Sequence, residues 1–591
     1  MADAQKYTLR VDGKPFYATE VQIRLDKLRY WWNFDAAARQ AVVAQAASDG
    51  FNTLTIPIHW YEVEPTKNNL NWTILDEYLG YCNTYNVKME LLWFGQNSGG
   101  WTQWLGDPST NPVHLRTPDY VLYSPAPNSA ATTSDFALRR DMSNYTLDLA
   151  DNTLRSREQW VMGQIIAHIA SWDASHGNKH TVIGVQIDNE IGGRNSLDFP
   201  TSLIVSYMSD IASAIKTSSY SVWTRLNCLP SLTNGRIVAN EALRSGAGTN
   251  IDFVGMDIYG TSASAIRTAI PYNGGNYRMI MESGAEVSDA AIYQLAALSG
   301  NNAYDHYDMI SPDGHSLYDR VGASGFTPRG SSVADIRTLN KLINSDIADI
   351  AMNSNGYGLF VHNYAGNSTS PTTYAMLGIT YTPSSTTSQG ISIRRSNTEA
   401  VLMSTKGGTF NYPSTLGING ASKGYFDSNN AWVNQGSVSF TSTSVTVAAG
   451  TTVRLTMPNT GFVTGVRRQA EFATIGGGAV AEASSLGFSA NGYVNFNASG
   501  GYVQWGAVDG LSGGTRTIRF RYTLTGTASR TMSLTINGSV SNNTFPPSDA
   551  TDLEKFGFLT VTASLTSGTT NTIKLQSTGQ DGPNIDELST Y

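Results

Sequence analysis

The chain has 591 residues, 40% of them hydrophobic and 15% charged, with a formal net charge of −8. That length calls for several domains or a large barrel with appended modules, and the apolar content is that of a chain able to build cores. An acidic balance with no Lys/Arg-rich run excludes nucleic acid as the expected partner, and no apolar run approaches the roughly 20 residues of a membrane span.

Strand-like runs are read in chain order at Phe16–Arg24, Phe51–Ile58, Val87–Phe94, Thr181–Ile187, Tyr220–Leu226, Ile251–Tyr259, Tyr277–Glu282 and Tyr357–Tyr364. Helical segments fall between most of them, at Ala36–Ser48, Thr73–Tyr85, Thr153–Ser171, Thr201–Thr217, Ala285–Leu298 and Ser332–Met352. Asp35 suits the N-cap of the first of these helices and Gly50 its C-terminal stop. Strand–helix alternation with eight buried-looking strands predicts a closed (β/α)8 TIM barrel over residues 1–370. The connections 95–138 and 302–330 are too long for packing alone and are expected to wall a cleft.

Composition breaks near residue 370: all eight His lie at or before His362, and ten of the twelve Trp at or before Trp223. Beyond the break come short β-type runs between Gly, Ser, Thr and Asn turns, such as Ser437–Val447, which predict two β-sandwich domains, 371–460 and 466–591. Both Cys, Cys82 and Cys228, are expected as buried free thiols rather than a disulfide. No signal peptide is read, and Met1-Ala-Asp-Ala4 suits either a cytosolic start or one that replaces a removed leader. The Lys-poor, Ser/Thr-rich second half favours a secreted, extracellular protein.

The chemistry concentrates at two strand ends. The run Val182-Ile-Gly-Val-Gln-Ile-Asp-Asn-Glu190 ends in an amide and a carboxylate, and Tyr277-Arg-Met-Ile-Met-Glu282 ends in another carboxylate. In a (β/α)8 barrel such ends meet at the C-terminal rim. Two carboxylates on one rim are what glycoside hydrolysis requires, one to protonate the leaving oxygen and one to act at the anomeric carbon. Asn189 is placed to hydrogen-bond a sugar 2-hydroxyl, and Tyr259 to donate to Glu282. Trp93, Asn97 and His362 are further substrate-binding candidates at strand ends, with Phe94, Arg225, Asn227 and Asn363 beside them. Glu64 reads as an ion-pair or turn partner, Asp188 as structural, and Glu286 as a competitor for the nucleophile. His59, His306 and His315 lack metal-binding spacing, so no catalytic cofactor is expected.

Gly13-Lys-Pro-Phe16, Ile58-His-Trp-Tyr-Glu-Val-Glu-Pro65, Ile183-Gly-Val-Gln-Ile-Asp-Asn-Glu190 and Met279-Ile-Met-Glu282 resemble segments of the clan A retaining glycoside hydrolases, most closely the β-galactosidase-like families 35 and 42. The resemblance covers roughly residues 10–366. It implies a retaining hydrolase of β-linked sugars, β-galactosidase-like, with Glu190 as acid/base, Glu282 as nucleophile and an oligosaccharide or polysaccharide as substrate. Family 35 usually shows Glu-Asn-Glu-Tyr-Gly where this chain has Asp188-Asn-Glu-Ile-Gly192, a departure that bears on galactose specificity. An exo-β-glucosidase, a transglycosylase and a non-catalytic glycan-binding protein are the alternatives.

The last module resembles carbohydrate-binding modules of families 6 and 35, on Gln469-Ala-Glu471, Gly492-Tyr-Val-Asn-Phe496, Val503-Gln-Trp505, Arg519-Phe-Arg-Tyr522 and Pro583-Asn-Ile-Asp586. The resemblance implies a structural calcium on Glu471 and Asp586 and sugar contacts from Tyr493 and Asn584. Gln469 stands where such modules often begin with Glu.

Overall fold

The computed structural model describes residues 2–5, 8–98, 117–122, 149–190, 201–228, 250–259, 262–268, 277–284, 289–300, 302–311, 315–353, 359–374, 379–395, 398–414, 417–458, 466–482, 488, 492–496, 499–548, 550, 553 and 556–590. It divides into two compact units, one of Met1–Ile270, Gly275–Leu298 and Asn302–Ala351, the other chiefly of Met352–Tyr591.

The first unit is a closed barrel of parallel strands: Thr19–Gln22, Thr53–His59, Lys88–Ser98, Val182–Asn189, Trp223–Cys228, Phe253–Asp257, Met279–Ser283 and Ala303–His306, the last pairing back onto the first. The closing strand is therefore Ala303–His306, inside a stretch expected to be loop, and not Tyr357–Tyr364. Four residues with a central Asp305 carry too little apolar periodicity to stand out in sequence. The rest of 302–330 holds an antiparallel hairpin of Tyr318–Val321 and Gly325–Pro328.

The helices follow local chemistry. Ala36–Ser48 begins where the Asp35 side chain accepts the Ala38 N–H at 2.8 Å, and past its end Gly50 takes φ +81°, the left-handed stop that glycine adopts without a Cβ penalty. Thr73–Tyr85 forms as expected, and Ser332–Met352 divides into Ser332–Asn344 and Ile347–Asn353. Among the described residues no helix is long and apolar enough to cross a membrane.

The N-terminal hairpin strands Thr8–Val11 and Lys14–Phe16 close the floor of the barrel, where Leu9 and Val11 pack with Trp223, Phe253, Tyr277 and Met279. Gly184 makes room there, since a Cβ would sit 2.1 Å from the Trp223 indole nitrogen. Above this floor the interior turns polar, and the strand ends form the site.

The second unit holds two antiparallel sandwiches. In the first, the six-stranded sheet begins with Leu359–His362 and includes Gly390–Arg394, Glu399–Ser404 and Thr451–Thr456, opposite a four-stranded sheet that includes Ile379–Pro383 and Gly408–Asn411. Tyr381, Leu402, Phe410, Val453 and Leu455 fill its core. This sandwich thus starts before residue 371, and the barrel unit ends at Ala351. In the second, strands from Val466–Gln469 to Asn584–Thr590 form two sheets around Phe496, Trp505, Phe520, Leu534, Leu575 and Leu588, the alternate residues of their strands.

Candidate active site

The fourth barrel strand does not run straight into its functional end. Asp188 and Glu190 both have positive φ, +60° and +52°, a backbone state that costs a non-glycine residue roughly 1 kcal/mol or more. The double kink breaks the in–out alternation. The Glu190 N–H is received by the Asn227 side-chain oxygen at 2.8 Å, which ties the kinked end to the fifth strand. Asp188, buried, accepts the Asn189 N–H and stays out of the rim chemistry.

Glu282, on the seventh strand, is buried, and Asp257 at the end of the sixth strand is its direct cross-strand partner. Carboxylate oxygens of Glu190, Asp257 and Glu282 all lie within 4.8 Å of one another. Tyr259 donates its hydroxyl to Glu282 Oε2, and Gln22 Nε2 donates to Oε1 at 3.2 Å. The Asn227 amide is the hub, donating to Asn189 Oδ1 at 2.8 Å and to Asp257 Oδ2 at 2.9 Å, with Glu282 Oε1 at 3.5 Å. Asn189, in turn, also receives Gln186 Nε2 at 3.2 Å.

Around this centre Arg24 grips Asp26 through both carboxylate oxygens at 2.9 and 2.7 Å, and His59 Nε2 meets Asp26 Oδ2 at 3.0 Å. Phe94 stacks on the His59 ring at 4.8 Å. The Tyr259 ring, 39% exposed, meets Tyr307 edge-on at 5.9 Å.

The electrostatics separate the two glutamates. Burial pushes Glu190 up, the Glu282 charge pushes it further, and a hydrogen bond with Asp257 opposes both, leaving it at about 8. Burial also raises Glu282, but hydrogen bonds from Tyr259 and Gln22 and the charges of Arg24 and Lys27 pull it back. Glu282 is therefore the first to ionise, and its charge holds the proton on its neighbour.

Of the other expected site residues, Trp93 faces outward: its indole donates to Glu158 on helix Asn152–Ser175 at 2.9 Å, and it is fully buried. Strand alternation explains this, since the adjacent Phe94 points inward. Asn97 lies on the third strand, its side chain outside the described residues. His362 is not a barrel residue at all. It is buried in the first sandwich between Tyr381 and Phe410, hydrogen-bonded to Ser392 Oγ at 2.8 Å, and burial lowers it to about 3. Asn363 bonds backbone carbonyls of the same sandwich. Arg225 lies in the barrel interior rather than at the rim, against Glu20, Glu90 and Asp305. Glu64 is an ion-pair partner of Arg157, and Glu286 lies outside the described residues. Cys82 is a buried free thiol, and the Cys228 side chain lies outside the described residues.

Sequence reasoning missed Asp257 and Gln22. Asp257 carried a signal, an acidic residue at the end of the apolar run Phe253–Asp257, which the more prominent Tyr259 overshadowed.

In the last sandwich Tyr493 is fully buried, packed against Phe488 and Phe556, with its hydroxyl donated to Glu482 at 2.9 Å. It is a packing residue and not an exposed sugar platform; Asn584 is half-buried at the start of the last strand. Asp586 is buried in an ion pair with Arg521, and Glu471 is buried nearby in sequence register, Ala470 pairing with the Asp586 carbonyl. A calcium there would draw on the Glu471 and Asp586 carboxylates, oxygen ligands that suit a hard cation, Asp586 being paired also with Arg521. The same module has an open cavity of about 380 Å³ lined by Arg468, Phe472, Thr474, Gln504 and Trp505, with Phe472 exposed.

No family model matches the chain. It is 22% identical over 332 residues to a probable β-galactosidase B of Sclerotinia sclerotiorum, across 55% of this chain and 27% of that protein. It is 39% identical over 108 residues to an endo-1,4-β-xylanase B of Cellvibrio japonicus, across 17% of each. Among solved structures it is similar to a family 35 carbohydrate-binding module from Paenibacillus barcinonensis, at 31% identity and TM-score 0.20, over 22% of this chain and 98% of that one. It is also similar to the isomalto-dextranase of Arthrobacter globiformis T6, at 15% identity and TM-score 0.36, over 100% and 98%. The matched regions thus span about a quarter or less of these curated relatives' own length. The distant relatives of this chain are glycoside hydrolases.

Proposed function

We propose that this protein is a secreted retaining glycoside hydrolase acting on a β-linked sugar, β-galactosidase-like in its substrate, with Glu190 as acid/base and Glu282 as nucleophile. The observation that carries the reading is the carboxylate geometry: oxygens of Glu190 and Glu282 within 4.8 Å, close to the spacing of about 5–5.5 Å used for double displacement and short of the ~6.5–9.5 Å that accommodates an attacking water. The ionised Glu282 attacks the anomeric carbon as Glu190 gives its proton to the leaving oxygen. Glu190 then removes a proton from water, whose oxygen displaces Glu282. Asn189, held by Gln186 and Asn227, is placed for the sugar 2-hydroxyl.

Galactose is favoured by the fungal β-galactosidase relative, glucose being the alternative at the same site. The final sandwich is proposed as a glycan-binding module whose ligand sits in the cavity beside Phe472, since an exposed ring with amide and guanidinium neighbours supplies stacking and directional hydrogen bonds. The test of the catalytic reading is proton NMR of the first-formed product from a nitrophenyl β-glycoside. Retention of the β-anomer is expected; an α-anomer formed first would overturn it.

A further inference from the structure

We propose that Asp257 is the positioning residue for the general acid, forming with Glu190 a carboxyl–carboxylate pair that holds one proton between them and delivers it through Glu190. This rests on the two-glutamate reading and deepens it.

Asp257 is 1% exposed and is fixed from two sides, by its cross-strand pairing with Glu282 and by the Asn227 amide at 2.9 Å. An oxygen of Asp257 lies within 4.8 Å of one of Glu190, and two buried carboxyl groups that close share one proton at lower cost than both ionise. With Glu282 the three acids have oxygens within 4.8 Å, and three carboxylates so close do not all ionise together. The groups facing them decide which one gives way. Glu282 receives Tyr259 and Gln22 and has Arg24 and Lys27 on its side. The Glu190–Asp257 pair faces the Glu282 charge from the seventh strand, the neutral Asn227 from the fifth and the neutral Tyr259 beyond the sixth. The proton is retained by the pair.

The pair then behaves as one acid with two macroscopic ionisations. In the first half-reaction its proton passes through a Glu190 oxygen to the leaving oxygen as the C–O bond breaks and the Glu282 ester forms. The pair is left with two negative charges beside a now neutral ester. In the second half-reaction it takes a proton from water as the water oxygen bonds the anomeric carbon and the ester bond breaks, which restores the shared proton. Asp257 acts through Glu190 and touches no substrate.

The test is Asp257→Asn in the full chain. Asparagine keeps a hydrogen-bond donor toward Glu190 but removes the second negative charge of the fully ionised pair, so the last proton leaves more easily. The basic limb of kcat/KM is expected to fall by about one pH unit. At pH 7.5 turnover of alkyl β-glycosides, whose leaving groups need the proton, is expected to drop about threefold, approaching about tenfold above about pH 9, and turnover of dinitrophenyl β-glycosides far less. Asp257→Glu should restore the limb. If Asp257→Asn does not fold, Asp257→Ser reads the same limb without the charge. An unmoved basic limb, or equal losses on both leaving-group types, would overturn the proposal. Azide rescue of Glu190→Ala, run in parallel, separates the failures: without rescue the two-glutamate reading falls, whereas rescue with an unmoved limb in Asp257→Asn sinks only the role of Asp257.

Discussion

Glu190 and Glu282 carry the same functional group, and what surrounds each sets how readily it ionises. Donors and cations gather on Glu282, while Glu190 is left with burial and a neighbouring negative charge that place it at about 8. Glu282→Ala is expected to abolish turnover, by roughly 10⁴-fold or more, because no covalent intermediate can form. Glu190→Ala is expected to lose most activity on poor leaving groups and to keep it on dinitrophenyl glycosides, with azide giving a β-glycosyl azide. Azide rescue of Glu282→Ala to an α-azide, with none for Glu190→Ala, would exchange the roles. Both residues were legible as carboxylates ending apolar runs. The kink that aims Glu190 was not, because positive φ at Asp188 and Glu190 depends on Asn227, 37 residues away along the chain, accepting the Glu190 N–H.

Among elements, the strands that read clearly were those with long apolar runs, such as Thr53–His59 and Val182–Asn189, buried throughout. The short eighth strand failed that criterion because its Asp305 faces the interior, where Glu20, Glu90 and Asp305 surround Arg225, all fully buried. One guanidinium cannot neutralise three fully buried carboxylates, and burial raises all three, Glu90 to about 8. A folded-state value above the unfolded one means that folding takes up a proton. The associated stability is complete below about pH 4.5, the ordinary value of a glutamate carboxyl, and is lost as pH rises through about 8. Wild-type thermal midpoints are accordingly expected to fall between pH 5.5 and 8.5. Glu90→Gln, which cannot ionise, should flatten that decline in calorimetry, and an unchanged slope would assign the protons elsewhere.

On the scale of the whole molecule the appended sandwiches are built without the barrel's chemistry, each around its own apolar core. The cavity at Phe472 is where the last module is expected to meet glycan. Phe472→Ala should lose at least about fivefold in retention during affinity electrophoresis through soluble polysaccharide, an exposed stacking ring being worth about 1 kcal/mol. Unchanged retention across a broad polysaccharide panel would leave the module a spacer.

The sequence by itself determined the alternating α/β front and all-β rear, the helix Ala36–Ser48 with its Asp35 cap, and the two glutamates at strand ends, because each is written in local periodicity, capping chemistry or a run's last residue. Tertiary structure alone decided that Ala303–His306 closes the barrel, that His362 and Tyr493 are packed into sandwiches, and that Asp257 joins the two glutamates. Those outcomes depend on which face of a strand is covered and by what. Residues far apart in the chain settle that by competing for the same buried space.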